Sequence, residues 1–186
     1  SLRDVNLADT PATEVHFFQS FIKFMPLLAK FNGPALATLM NRAAAEKLSY
    51  LELMLSSYEL NLPLGPQGDP STTLASQITW QPNNLMEMQR ELVAQGLPAI
   101  IAKTRAQLTT MERAAQQILQ CSTKTPQPGC QTTVRYQYYA LRLLPNNQFF
   151  AQLLTGFMLA NEDPRVVGIN IVGREDSLPA LSQYRA

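Results

Sequence analysis

Histidine is nearly missing from this 186-residue chain: His16 is the only one. A catalytic zinc site takes three protein ligands and an open position, so His16 cannot build one alone. Set in a segment of phenylalanines, it reads as a packed or hydrogen-bonded core residue. Charge of one sign is missing too. Fifteen basic and 14 acidic residues leave a net charge of +1, which gives no long-range field for nucleic acid or anionic lipid. No Lys/Arg cluster is interleaved with aromatics in the manner of a nucleic-acid groove. No apolar run approaches the roughly 20 residues that span a bilayer, and nothing at the N-terminus reads as a signal peptide. Neither a nucleic acid nor a membrane is therefore expected as a partner. There is no GxGxxG after a strand, no Walker loop and no G-x-S-x-G elbow.

Cysteine is scarce. Cys121 and Cys130 frame "CSTKTPQPGC", a loop with two prolines and a glycine. A disulfide would tie its ends and stabilise the fold by about 2–3 kcal/mol. The alternative is two free thiols flanking a helix end. A disulfide would favour a periplasmic or secreted setting, and free thiols a cytoplasmic one. Two cysteines with no histidine close in sequence do not make a zinc site.

What the chain does have is apolar residues, 46% of the total, enough for a sizeable core. Asp9-Thr10-Pro11 reads as a helix start. The segment after it places Val15, Phe18 and Ile22, with Phe17, Phe21 and Phe24, at helical spacing. Pro26 kinks it and Asn32-Gly33-Pro34 breaks it. A second, Ala-rich helix runs from Pro34 to Lys47. Leu48 to Ser57 reads as a buried strand, and residues 59–71 as a loop, on their prolines and glycines. Helices are expected over 82–95 and 98–121, the latter with Ile101, Leu108, Met111, Ala115 and Leu119 on one side. Thr132 to Leu144, rich in β-branched and aromatic residues, is a strand. A helix over 147–162, a strand over 165–172 and a helix from Ser177 complete the order. Strands alternating with helices imply an α/β fold whose parallel sheet is covered on both faces.

Within that frame some residues invite chemistry. The seven methionines scatter through the chain and read as core filler. Alternation puts Tyr136 and Tyr138 on one sheet face and Tyr139 on the other, as packing. Glu52, with Arg135 and Arg142 on the next strand, reads as an inward ion pair or as charge on an exposed edge strand. The segment "RVVGINIVGREDS" ends in a strand terminus, where parallel α/β folds bind ligands. Gly173 there would admit a close approach to its N–H. A strand-to-helix turn capped by Asp176 or Ser177 explains the same residues equally well.

"VVGINIVGREDS" resembles the fourth strand of the adenosine deaminase family, most of all its secreted, growth-factor-related branch and bacterial relatives. That strand reads glycine, a hydrophobic residue, Asp or Asn, then Leu-Val-Gly, any residue and Glu-Asp. Asn170 stands where Asp is usual. "AAAEKLSYLELMLSSYEL" resembles the helix and second strand of that branch. "VRYQYYALR" resembles the third, ending in Arg142, with Leu141 where a His is frequent. The resemblance covers most of residues 14–186.

The resemblance implies a (β/α)₈ TIM barrel, of which this helix-rich chain would be strands 2–4 with their helices, so that residues 1–186 form a single fragment of a deaminase-type barrel domain. It implies zinc-assisted hydrolysis of adenosine, a purine nucleoside, to inosine and ammonia. The zinc would belong to a full-length parent. The family's ligand segments, an HxH on the first strand and a His on the fifth among them, are not found here, so this chain alone would bind no zinc and be inactive. The missing strands would come from the rest of its own barrel or from another copy. Gly173 matches the glycine whose N–H contacts the purine. Glu175 would shape the pocket mouth, and Phe17 and Phe21 would help cover the substrate. The alternative is a non-catalytic binding or structural domain related to deaminases.

Overall fold

The computed structural model describes residues 31–55 and 69–173, with Phe17, Ser20 and Lys23 as isolated helical positions. The helix start at Asp9, His16, Phe21, the Pro26 kink, Glu175 and the helix from Ser177 lie outside the described residues.

Helix α1, Asn32–Ala45, buries Leu36, Ala37, Met40 and Ala43, a stripe at spacings of three and four. Strand β1 is Tyr50–Leu55. A short helix α2, Pro70–Ala75, follows. Helix α3 is Leu85–Ala94 and buries Met88 and Leu92. Gly96, at φ 116°, turns the chain into helix α4, Leu97–Ile118, with Pro98 in its first turn. Along α4, Leu97, Ile101, Thr104, Leu108 and Ala115 form the buried stripe. A 3₁₀ turn, Pro128–Gln131, leads into strand β2, Thr133–Leu141. Helix α5, Asn146–Glu162, and strand β3, Val166–Val172, complete the described elements.

The three strands are parallel and lie in chain order, β1-β2-β3. Leu53 pairs with Tyr136 and Leu55 with Tyr138, while Tyr138 pairs with Ile169. A bulge between Tyr136 and Gln137 leaves Val167 as the extra residue of β3. The main core joins Leu55, Tyr136, Tyr138 and Val166 of the sheet to Met88, Leu92, Ile101, Leu108 and Leu159 of the helices. Each fully buried Leu or Ile contributes roughly 1.5–3 kcal/mol against exposure. Trp80 packs on this core, edge-on to Phe150 with ring centroids 6.2 Å apart. A smaller core gathers Leu36, Ala37, Met40, Ala115 and Leu119. Close approach is a theme of both. A Cβ on Gly156 of α5 would lie 2.8 Å from Tyr138 Cδ1, and one on Gly33 of α1 would lie 2.6 Å from Ala114 Cβ.

Two expectations are corrected. The described helices pack on one face of the sheet, the side of Leu55, Tyr136 and Tyr138, and not on both. On the other face Tyr50, Glu52 and Met54 are exposed, so β1 alternates in burial and is not a buried strand. Apolar residues on both sides of a strand had suggested double cover; Tyr50 and Met54 leave theirs open to solvent. The second correction is α2, which begins at Pro70, inside the last two residues of the loop expected over 59–71. Asp69 is its cap, accepting from Ser71 N at 2.8 Å, and Pro70 follows at the first position.

Candidate functional site at the strand ends

Gly173 sits just past β3 with φ 115°. That is left-handed backbone, which side chains with a Cβ rarely adopt. A Cβ there would also come within 3.1 Å of Arg142 Cγ. Arg142 is fixed beside it: its N–H donates to Val172 O at 3.0 Å and its Nη2 to Ile171 O at 3.1 Å. The turn alone thus accounts for a glycine at this position. Its N–H lies at the C-terminal end of the sheet, as expected for a ligand-facing strand end.

Behind this end lies a polar cluster that the sequence reading missed. Asp69 is fully buried, and its Oδ1 accepts from Ser71 N and from Ser71 Oγ at 2.6 Å. Its Oδ2 is 3.4 Å from both Tyr138 Oη and Gln152 Nε2. Gln152, also fully buried, accepts from Leu141 N–H through its Oε1 at 2.7 Å. One carboxylate therefore ties the start of α2 to Tyr138 of β2 and Gln152 of α5. The only signal for it was Asp-Pro-Ser, a capping triplet hidden among loop prolines.

The open face of the sheet carries a polar row. Glu52 accepts from Tyr50 Oη at 2.7 Å and from Gln137 Nε2 at 2.6 Å. These bonds hold the Glu52 carboxyl below the usual carboxylate range, Tyr50 contributing most, and the same contact raises the Tyr50 phenol. Glu52 is thus an acceptor at neutral pH and not a proton donor. Of the two readings of Glu52, the exposed edge strand holds and the ion pair does not: Glu52 is exposed on β1, and although Arg135 is its register partner, Arg135 Nη1 donates to Val134 O at 2.8 Å. Asn170 donates through Nδ2 to Met54 Sδ at 2.9 Å. An ionised Asp has no donor for that contact.

The opposite, N-terminal end is charged. Arg165 donates to Asp163 through Nη2 at 2.6 Å and Nε at 2.9 Å, and to Glu112 through Nη1 at 2.7 Å. Arg105 reaches Glu162 at 3.2 Å. The bonds from Arg165 hold the Asp163 carboxyl below its ordinary value and push the guanidinium up. Burial, and then Glu112, which accepts from Tyr136 Oη at 3.2 Å, push the Tyr136 phenol up.

Of the sequence-derived site residues, the structure brings Cys121 and Cys130 together as a disulfide with Cα atoms 5.5 Å apart. Phe17 is helical and 44% exposed. Among the described residues no group of three His, Cys, Asp or Glu is placed to hold a metal ion, so these residues do not fit a zinc centre. Also among them, no helix is long and apolar enough to cross a membrane. Compared with family models, with curated proteins and with solved structures, the chain finds no match in any of the three.

Proposed function

We propose that this chain is the second-to-fourth-strand portion of a (β/α)₈ barrel belonging to a zinc-dependent purine-nucleoside deaminase, and that it is catalytically incomplete by itself. The observation that supports this reading, beside the strand resemblance, is the winding of the sheet. Three parallel strands follow one another in chain order, with the described helices on one side and polar side chains on the other. One half of a doubly wound sheet has the same order with helices on one face, while the whole reverses its order and takes helices on both. A barrel keeps its order and takes its helices outside. The three ordered strand segments that resemble deaminases then supply the chemistry.

In this reading Glu52, Gln137 and Asn170 face the barrel interior, and Gly173 offers its N–H to the purine at the mouth. Arg142 and the left-handed turn fix where that N–H points. Asp69 and Gln152 brace the strand ends from behind. When bound, zinc supplies a water that is nucleophilic near neutral pH. Its ligands would come from other strands.

The test is to purify the protein encoded by the whole gene, measure bound zinc, and follow adenosine to inosine. Stoichiometric zinc with turnover is expected, and residues 1–186 expressed alone should show neither. A zinc-free full-length protein that leaves purine nucleosides untouched overturns the proposal in favour of a non-catalytic binding domain.

A further inference from the structure

Only the smaller of the two cores contains cysteine. The smaller one sets α1 and the end of α4 against Cys121 and Cys130. Helix α1 meets the rest of the described molecule chiefly through α4 and the 3₁₀ turn of the cysteine loop. Asn41 of α1 grips that loop with both ends of its amide. Its Nδ2 donates to Gln127 Oε1, and its Oδ1 accepts from Gly129 N–H at 3.0 Å. Thr132 Oγ1 donates to Met40 O at 3.3 Å. The fit is tight enough that a Cβ on Gly129 would stand 2.7 Å from Asn41 Oδ1.

We propose that the Cys121–Cys130 disulfide is a reducible clasp on α1: a dithiol releases α1 and the cysteine loop while the main core stays folded. Access comes from an open cleft of about 390 Å³ between α1, α4 and the start of β2, lined by both cysteines with Leu36, Met40, Gln116 and Thr132. Both cysteines are themselves half-buried. A thiolate of the dithiol attacks one Sγ, the S–S bond breaks, and the other cysteine leaves as thiolate. The second thiol of the reagent then attacks the mixed disulfide. Two electrons and two protons end on Cys121 and Cys130, and the dithiol becomes a disulfide.

Two features localise the effect. The bridge closes a short ring, with a sequence separation of 9 between its cysteines, so its loss is a modest one. The groups it orders belong to α1 and the loop, not to the sheet-centred core. Hydrogen exchange in the native protein separates such local openings from global unfolding.

The experiment is amide hydrogen exchange on the whole protein with and without dithiothreitol. Exchange over 32–45 and 119–132 is expected to rise about thirtyfold or more, the lower end of what so short a ring supplies. Exchange over 136–140 and 149–159 should stay unchanged. A Cys121→Ser/Cys130→Ser variant should show the same pattern without dithiothreitol and no further response to it. Asn41→Ala keeps the bridge, and should loosen 32–45 and speed reduction of the disulfide severalfold; this arm stands even if the serine variant does not fold. Unchanged exchange over 32–45 in the reduced protein overturns the proposal. So does an equal rise across both cores, which would make the bridge a global stabiliser.

Discussion

The two ends of the parallel sheet are held by different physics. At the N-terminal end, Arg165 gathers Asp163 and Glu112, and Arg105 adds Glu162. At the C-terminal end a single buried carboxylate, Asp69, is matched by neutral donors from Ser71, Tyr138 and Gln152. A cluster of paired charges is intolerant of losing one member, because the partners stay half-buried and unpaired. Losing Asp69 leaves those three donors without their acceptor. The charged end is thus a fixed base. The other end carries Gly173, whose unusual backbone geometry is set against Arg142.

Four measurements would break or sharpen that contrast. The largest effect is expected from Arg165→Met, which strands Glu112, leaves Asp163 only Arg105 at 3.7 Å, and should cost roughly 3–4 kcal/mol in denaturant unfolding. Next is Asp69→Ala, which orphans the Ser71, Tyr138 and Gln152 donors, at about 2–3 kcal/mol. If Asp69→Ala proves the more damaging, the charged end is not the fixed base. Acidification comes third. Because Arg165 holds the folded Asp163 pKa below its unfolded value, its contribution is complete above the ordinary aspartate range, near about pH 4. It is lost as pH falls through the folded value. The thermal midpoint should therefore drop in that acid window, and Asp163→Asn should flatten this drop while lowering stability at neutral pH. The smallest stability change is Gly173→Ala, at about 1–2 kcal/mol for a Cβ in left-handed backbone. On the proposed deaminase reading, kcat/KM of the full-length protein should also fall by more than that strain accounts for. A loss of stability with intact kinetics would reduce Gly173 to a turn residue.

Much of the architecture was legible in periodicity. The stripe Ile101, Leu108, Ala115 and Leu119 is fully buried, and β2 and β3 fall where β-branched and aromatic residues concentrate. Strand alternation separated Glu52 from Leu53, but it does not say which face a helix will cover. That is decided by the hand and order of the crossovers, which no local pattern carries. The short helix α2 was masked because Pro and Gly around it signalled a loop. Asp69 was masked for the same reason, since its partners Tyr138 and Gln152 are distant in sequence and meet it only after the sheet forms. Gly173 was visible as a glycine at a strand end. Its positive φ is a property of the folded chain beside Arg142.

Trp80 is the only tryptophan in the chain, and it packs on the sheet-centred core beside Phe150. Its fluorescence will follow that core and stay blind to α1. Far-UV circular dichroism counts the turns of α1 along with every other helix. Two probes of one chain coincide only when unfolding is all-or-none. Under thiol the ellipticity should fall before the emission shifts, so the position of one indole turns a routine spectroscopic pair into a two-channel optical record of which core has opened.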